Sequence, residues 1–129
     1  MDILSQLFKK EEIDEILEMN PNIQYQKKED LRRIIKLLAD QKCSNRILRN
    51  ILQTNPMVLT RSPEDVEELI IKLKEYNILH LDKLFDEYPF ILIKDAYEID
   101  GYFINKRSEN MSLEEARELL EKEPFQIDV

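Results

Sequence analysis

Four prolines divide this chain at nearly even intervals: Pro21, Pro56, Pro89 and Pro124 stand 35, 33 and 35 residues apart. Each follows a pair of apolar residues, Ile16-Leu17, Ile51-Leu52, Leu84-Phe85 or Leu119-Leu120, placed five and four positions earlier. Proline lacks an amide hydrogen and disfavours helix in the residue before it, so each of these prolines is expected to close a helix. A fixed period of this length marks a helical repeat array. Such arrays bury apolar stripes between neighbouring units and work by contact along a surface.

The residues around the prolines keep the same register. Eight positions earlier stand Ile13, Leu48, Leu81 and Ala116; thirteen earlier stand Phe8, Cys43, Tyr76 and Met111. Three positions later stand Leu59, Leu92 and Ile127, with Gln24 as the polar exception. Ten later come Leu31, Val66 and Ile99; thirteen and fourteen later come Ile34-Ile35, Leu69-Ile70 and Tyr102-Phe103. Seventeen later come Leu38, Leu73 and, breaking the rule, Lys106. Offsets of this kind place the side chains on one stripe of a helix. Each unit therefore holds one helix before the proline and a second after it. Ser44, Asn77 and Ser112 are the expected N-caps of the first helices, and Ser62 and Asp95 of the second, because a short side-chain oxygen accepts from an unpaired helix amide. The first unit has Lys27 at the cap position, with Gln26 or Asp30 as alternative starts. The apolar runs Met57-Val58-Leu59 and Phe90-Ile91-Leu92 predict a brief 3₁₀ turn tucked into the core.

Composition agrees with an all-α chain: 129 residues contain one glycine and five prolines, and 36% are charged, which excludes a loop-rich or sheet-rich fold. The reading is a single domain over 1–129, with units at about 1–42, 43–75, 76–110 and a partial 111–129, in a curved stack of about seven helices. No apolar run reaches the roughly eighteen residues of a membrane span. Met1 to Phe8 reads as an amphipathic first helix rather than a signal peptide. The lone Cys43 permits no internal disulfide and fits a reducing cytoplasm.

The net charge of −8 is unevenly spread. Residues 1–20 carry two basic and six acidic side chains, residues 21–61 nine and three, and residues 62–129 eight and eighteen. The middle block comprises Lys27, Lys28, Arg32, Arg33, Lys36, Lys42, Arg46, Arg49 and Arg61. Lys28, Arg32 and Lys36 line one edge of a helix, and Arg46 and Arg49 line the next, so neighbouring helices are expected to join them into one basic patch. Several cations close together are what phosphate binding needs, because affinity comes largely from released counterions. Tyr25 lies near the patch and is placed to stack on a base or to close the turn after Pro21.

A proline followed by apolar residues three, ten and seventeen positions later is similar to the motif of the mitochondrial transcription termination factor (mTERF) family. Pro56, Leu59, Val66 and Leu73 match it throughout; Pro89, Leu92 and Ile99 match until Lys106; Pro21, Leu31 and Leu38 match apart from Gln24. The resemblance spans nearly the whole chain. It implies three to four helix–helix–3₁₀ units stacked as a curved solenoid with a basic concave face that holds nucleic acid.

The remaining chemistry-bearing residues do not assemble a catalytic site. Cys43 shares its register with apolar residues, His80 has no second histidine, Asp82 and Asp86 are a common helical spacing, and Gly101 is the only glycine, so no phosphate loop is available. Gly101 falls within a helix, where it permits a close approach or a kink at a cost of about 1 kcal/mol. Phe125, Ile127 and Val129 are read as a lid on the last helix. The expected function is a non-enzymatic binding module without cofactor or metal. It would be a small regulatory protein contacting nucleic acid through Lys27, Lys28, Arg32, Arg33, Lys36, Arg46, Arg49 and Arg61. The alternative is a protein-binding adaptor or inhibitor acting through the acidic C-terminal face, possibly on a nucleic-acid enzyme. The chain is expected to be a monomer or a weak homodimer.

Overall fold

The computed structural model describes Asp2–Val129, so the Met1 end of the expected first helix lies outside the described residues. The described residues contain helices and no strand. A short α1 (Asp2–Ser5) precedes α2 (Lys10–Met19), the 3₁₀ turn η1 (Pro21–Tyr25) and α3 (Lys28–Asp40). The order then recurs as α4 (Asn45–Thr54), η2 (Pro56–Thr60) and α5 (Pro63–Glu75), and as α6 (Leu81–Glu87), η3 (Pro89–Ile93) and α7 (Ala96–Ser108). The chain ends in α8 (Leu113–Lys122) and η4 (Pro124–Asp128). Each of the four prolines opens a 3₁₀ turn directly after a helix, as its missing amide hydrogen requires.

Elements of like position pack together. Helix α5 lies between α3 and α7, α4 packs on α6, and η2 lies between η1 and η3. The apolar stripe faces these contacts: Leu31, Val66 and Ile99 are fully buried, as are Ile34, Leu38, Leu69 and Leu73. The stripe's exception, Lys106, lays its stem beside Tyr102, with the ammonium 5.7 Å from the ring centre and paired to Glu109 at 3.3 Å. A long lysine can cover apolar surface while its charge stays wet. After the first proline the buried residue is Ile23, one place before the polar Gln24, so that turn still inserts a side chain into the core.

The junctions show a recurrent device that the spacing alone did not reveal. Lys42, Asn77 and Asn110 have positive φ of 68°, 62° and 67°. Each follows the end of a long helix, and the next residue's amide reaches back to the helix: Cys43 to Leu38, Ile78 to Leu73, and Met111 to Lys106. This is the Schellman closure, which satisfies the last carbonyls and turns the chain. It corrects the expectation for Asn77, which ends α5 instead of capping the next helix; His80 occupies the N-cap of α6 without a side-chain bond. It also corrects the register of Tyr76. Cys43 and Met111 follow the left-handed residue directly, and the residue in that place in the third segment is Ile78, which is buried. The two residues missing from the 33-residue interval are lost from the stretch leading into α6 and its first turn, where seven helical residues stand against ten in α4 and α8.

Elsewhere the caps are as expected. Ser44, Ser62 and Ser112 hydroxyls accept from Ile47, Asp65 and Glu115 amides at 3.3, 3.1 and 3.0 Å. Asp95 and Glu98 form a capping box at α7, and Lys27 starts α3 without a side-chain cap. At the C-terminus only Pro124 and Ile127 pack inward; Phe125 and Val129 stay exposed, so the lid is partial. A Cβ added to Gly101 would meet nothing within 4 Å. Close helix approach is therefore not its role. Gly101→Ala is expected to raise stability by about 0.5–1 kcal/mol, read by denaturant unfolding, because alanine restricts the unfolded chain and suits a helix interior.

Candidate functional site

The eight cations named above fall on two helices and their flanks. Lys27 caps α3, which carries Lys28, Arg32, Arg33 and Lys36; Arg46 and Arg49 lie on α4; Arg61 follows η2. Most of them reach a carboxylate. Arg33 Nη1 donates to Glu64 at 3.1 Å, Lys36 to Asp40 at 3.0 Å, Arg46 Nη2 to Asp86 at 3.0 Å, and Arg49 Nη2 to Glu12 at 3.0 Å. Arg49 also donates to the Leu7 carbonyl at 2.7 Å, and its guanidinium carbon lies 5.4 Å from the Phe8 ring centre. Among the described residues, no ion pair involves Lys27, Lys28 or Arg32, and all three are exposed.

Arg61 differs in kind from the others. Its Nη1 donates to two backbone carbonyls, Leu92 and Lys94, each at 2.7 Å, and its Nη2 pairs with Asp95. The side chain is only 12% exposed. It thus bolts the end of η2 to the end of η3 and to the cap of α7. Lys94, at the corresponding place after η3, pairs in turn with Asp128 of η4, and Tyr88 donates to the same carboxylate. Burial opposes the charge of Asp128, but the Lys94 ammonium and the Tyr88 hydroxyl outweigh it and hold its pKa below the ordinary range. The signal for this series was present in sequence, since Arg61 and Lys94 both stand five residues after a proline.

Other polar ties escaped the sequence reading. Asn50 Nδ2 donates to the Asp86 carbonyl at 2.9 Å and to its carboxylate at 3.0 Å. Asn55, 2% exposed, donates from Nδ2 to the Pro89 carbonyl at 3.0 Å. Tyr76 stacks on Phe103 with ring centres 3.9 Å apart and donates to Asp100 at 2.6 Å. The partners of Asn55 and Tyr76 lie 34 and 24 residues away, beyond the reach of any local motif.

The electrostatics follow from these ties. Glu12 is held below the usual carboxylate range by the Lys9 amide, with Arg49 and Gln53 adding to it. Glu64 is lowered by the amide at its own helix start and by Arg33. Cys43 is pushed up to about 12 by burial, reinforced by the Asp82 and Asp86 carboxylates, so its thiol stays protonated and inert at neutral pH. The groove beside Arg33 and Lys36, about 230 Å³, is shared with Asp40 and Glu67, which cancels its attraction for phosphate. Among the described residues no cluster of His, Cys, Asp and Glu is arranged to hold a metal ion. No helix among them is long and apolar enough to cross a membrane. No protein-family model matches the chain, and no curated protein matches it significantly.

Proposed function

We propose that the chain is a non-enzymatic helical-repeat module, a small mTERF-like solenoid, that binds a partner protein through its acidic surface. The recurring order of helix, 3₁₀ turn and helix supports the architecture. The observation that carries the choice of partner is the use made of the basic block. Every arginine of the candidate site except Arg32 is tied to a carboxylate of another segment. A nucleic-acid backbone would have to displace those carboxylates and approach a chain of net charge −8. The acidic C-terminal half keeps most of its charge outward: Asp65, Glu67, Glu68, Glu114 and Glu118 are exposed. The test is capture on the immobilised protein from an extract with and without nuclease. Proteins retained through nuclease treatment and released by salt are the expected result; loss of every protein after nuclease overturns it.

One observation favours a second reading. The three unpaired cations Lys27, Lys28 and Arg32 follow Tyr25, which is 78% exposed, in the stretch that joins η1 to α3. Cations beside an exposed ring form a small single-strand contact. On that reading single-stranded oligonucleotides bind with a salt slope of about −2, as three phosphate contacts would give. Changing all three cations to alanine abolishes it, and Arg46→Ala with Arg49→Ala leaves it unchanged. No binding at low salt, or equal loss from the paired arginines, dismisses this reading.

A further inference from the structure

The residue directly after each repeat proline faces out, although its neighbours are buried. Met57 is 54% exposed between buried Pro56 and Val58, and Phe90 is 43% exposed between buried Pro89 and Ile91. Phe125 is 48% exposed after buried Pro124; the first segment has Asn22 there. Because η2 packs on η3, and η3 is tied to η4 through Lys94 and Tyr88, these three side chains stand one per segment along a single edge. A soluble chain gains nothing from exposing three large apolar groups in register, and such rows mark contact surfaces.

The charge beside this edge has one sign. The three residues before each proline include Glu18, Asp86, Glu87, Glu121 and Glu123 against a single Lys122. Arg61 and Lys94, which follow the turns, are already paired with Asp95 and Asp128. Phosphate is therefore repelled from the row, and a cation-flanked apolar ligand is attracted. Packed elements lie about 8–10 Å apart. An α-helix advances about 10.5 Å in seven residues, so one apolar side chain per heptad meets one segment of the row.

We infer that the edge formed by Met57, Phe90 and Phe125 is a docking stripe for a basic amphipathic helix of a partner protein. This rests on the protein-binding reading above and gives its surface and ligand chemistry. The test uses a synthetic peptide of about eighteen residues with leucines on one helical face and lysines elsewhere. A scrambled peptide of the same composition and a version with glutamate for lysine are its controls. Binding is measured by fluorescence anisotropy. The patterned lysine peptide is expected to bind at least tenfold more tightly than either control. The triple variant M57A/F90A/F125A is expected to lose that preference while keeping its circular dichroism and melting temperature, since all three side chains are exposed. Equal affinity for patterned and scrambled peptides overturns the stripe, as does a triple variant that binds like the parent. A concentration-dependent doubling of molar mass that the triple variant abolishes also overturns it, because the occupant is then a second copy. Proteins captured equally by parent and variant leave the adaptor standing and remove only this edge; no capture by either removes the adaptor itself.

Discussion

Arg61→Ala is expected to lower the unfolding free energy by about 3 kcal/mol, measured by denaturant titration. Nothing in the bare sequence distinguishes this arginine from Arg46, yet the two should behave oppositely. Arg61 is 12% exposed and supplies hydrogen bonds to the Leu92 and Lys94 carbonyls and to Asp95. Hydrogen bonds from a charged donor contribute roughly 1.5–3 kcal/mol each, and losing several at once is less than additive. Truncation leaves acceptors without their donor and unties the cap of α7 from η2. Arg61→Lys should recover only part of the loss, because an ammonium cannot span both carbonyls and the carboxylate as a planar fork does. The side chain of Arg46 is 71% exposed in its pair with Asp86. Arg46→Ala should therefore cost about 0.5 kcal/mol or less, as exposed pairs do. Similar small losses for both variants would refute the assignment of Arg61 as a bolt between segments.

Asn55→Asp is expected to cost about 3 kcal/mol at neutral pH and much less in acid. The substitution hardly changes shape but replaces the amide donor facing the Pro89 carbonyl, 3.0 Å away, with a second acceptor. It also places a negative charge at a position only 2% exposed. Burial and the facing carbonyl both disfavour the carboxylate, so the folded-state pKa of the new aspartate rises above its unfolded value of about 3.9. Below that unfolded value both states are protonated and the acid can donate to Pro89, so stability approaches that of the parent. As pH climbs through the raised folded pKa, the contribution is lost. The variant-minus-parent difference from paired unfolding curves across pH should therefore widen upward from acid to neutral. A difference independent of pH would mean that the side chain has swung out to solvent.

The expectation of one continuous basic patch met a structure that divides those cations by partner. Lys27, Lys28 and Arg32 stay free on the α3 side, whereas Arg46 and Arg49 are drawn to Asp86 and Glu12 on the two neighbouring helices. Charge counted along the chain was right about composition and silent about neutralisation. A lysine or arginine becomes available or occupied according to which carboxylate the adjacent segment presents, and that depends on how two helices face each other.

The positions of helices and breaks were readable from residue order, because capping, proline stops and apolar periodicity act within a few residues of the chain. Ser62 and Ser112 cap their helices, the four prolines each open a 3₁₀ turn, and Leu31, Val66 and Ile99 are all fully buried. Register across the junctions was less legible. Counting back from Pro89 selected Tyr76, but the left-handed turn at Asn77 hands that place to Ile78. Packing alone decided that Arg61 and Asn55 would reach carbonyls more than thirty residues away, and that Met57, Phe90 and Phe125 would line one edge. The physical reason is one of range: backbone hydrogen bonds and caps are satisfied locally, whereas a side chain's burial and its polar partner are set by whichever distant segment comes to lie beside it.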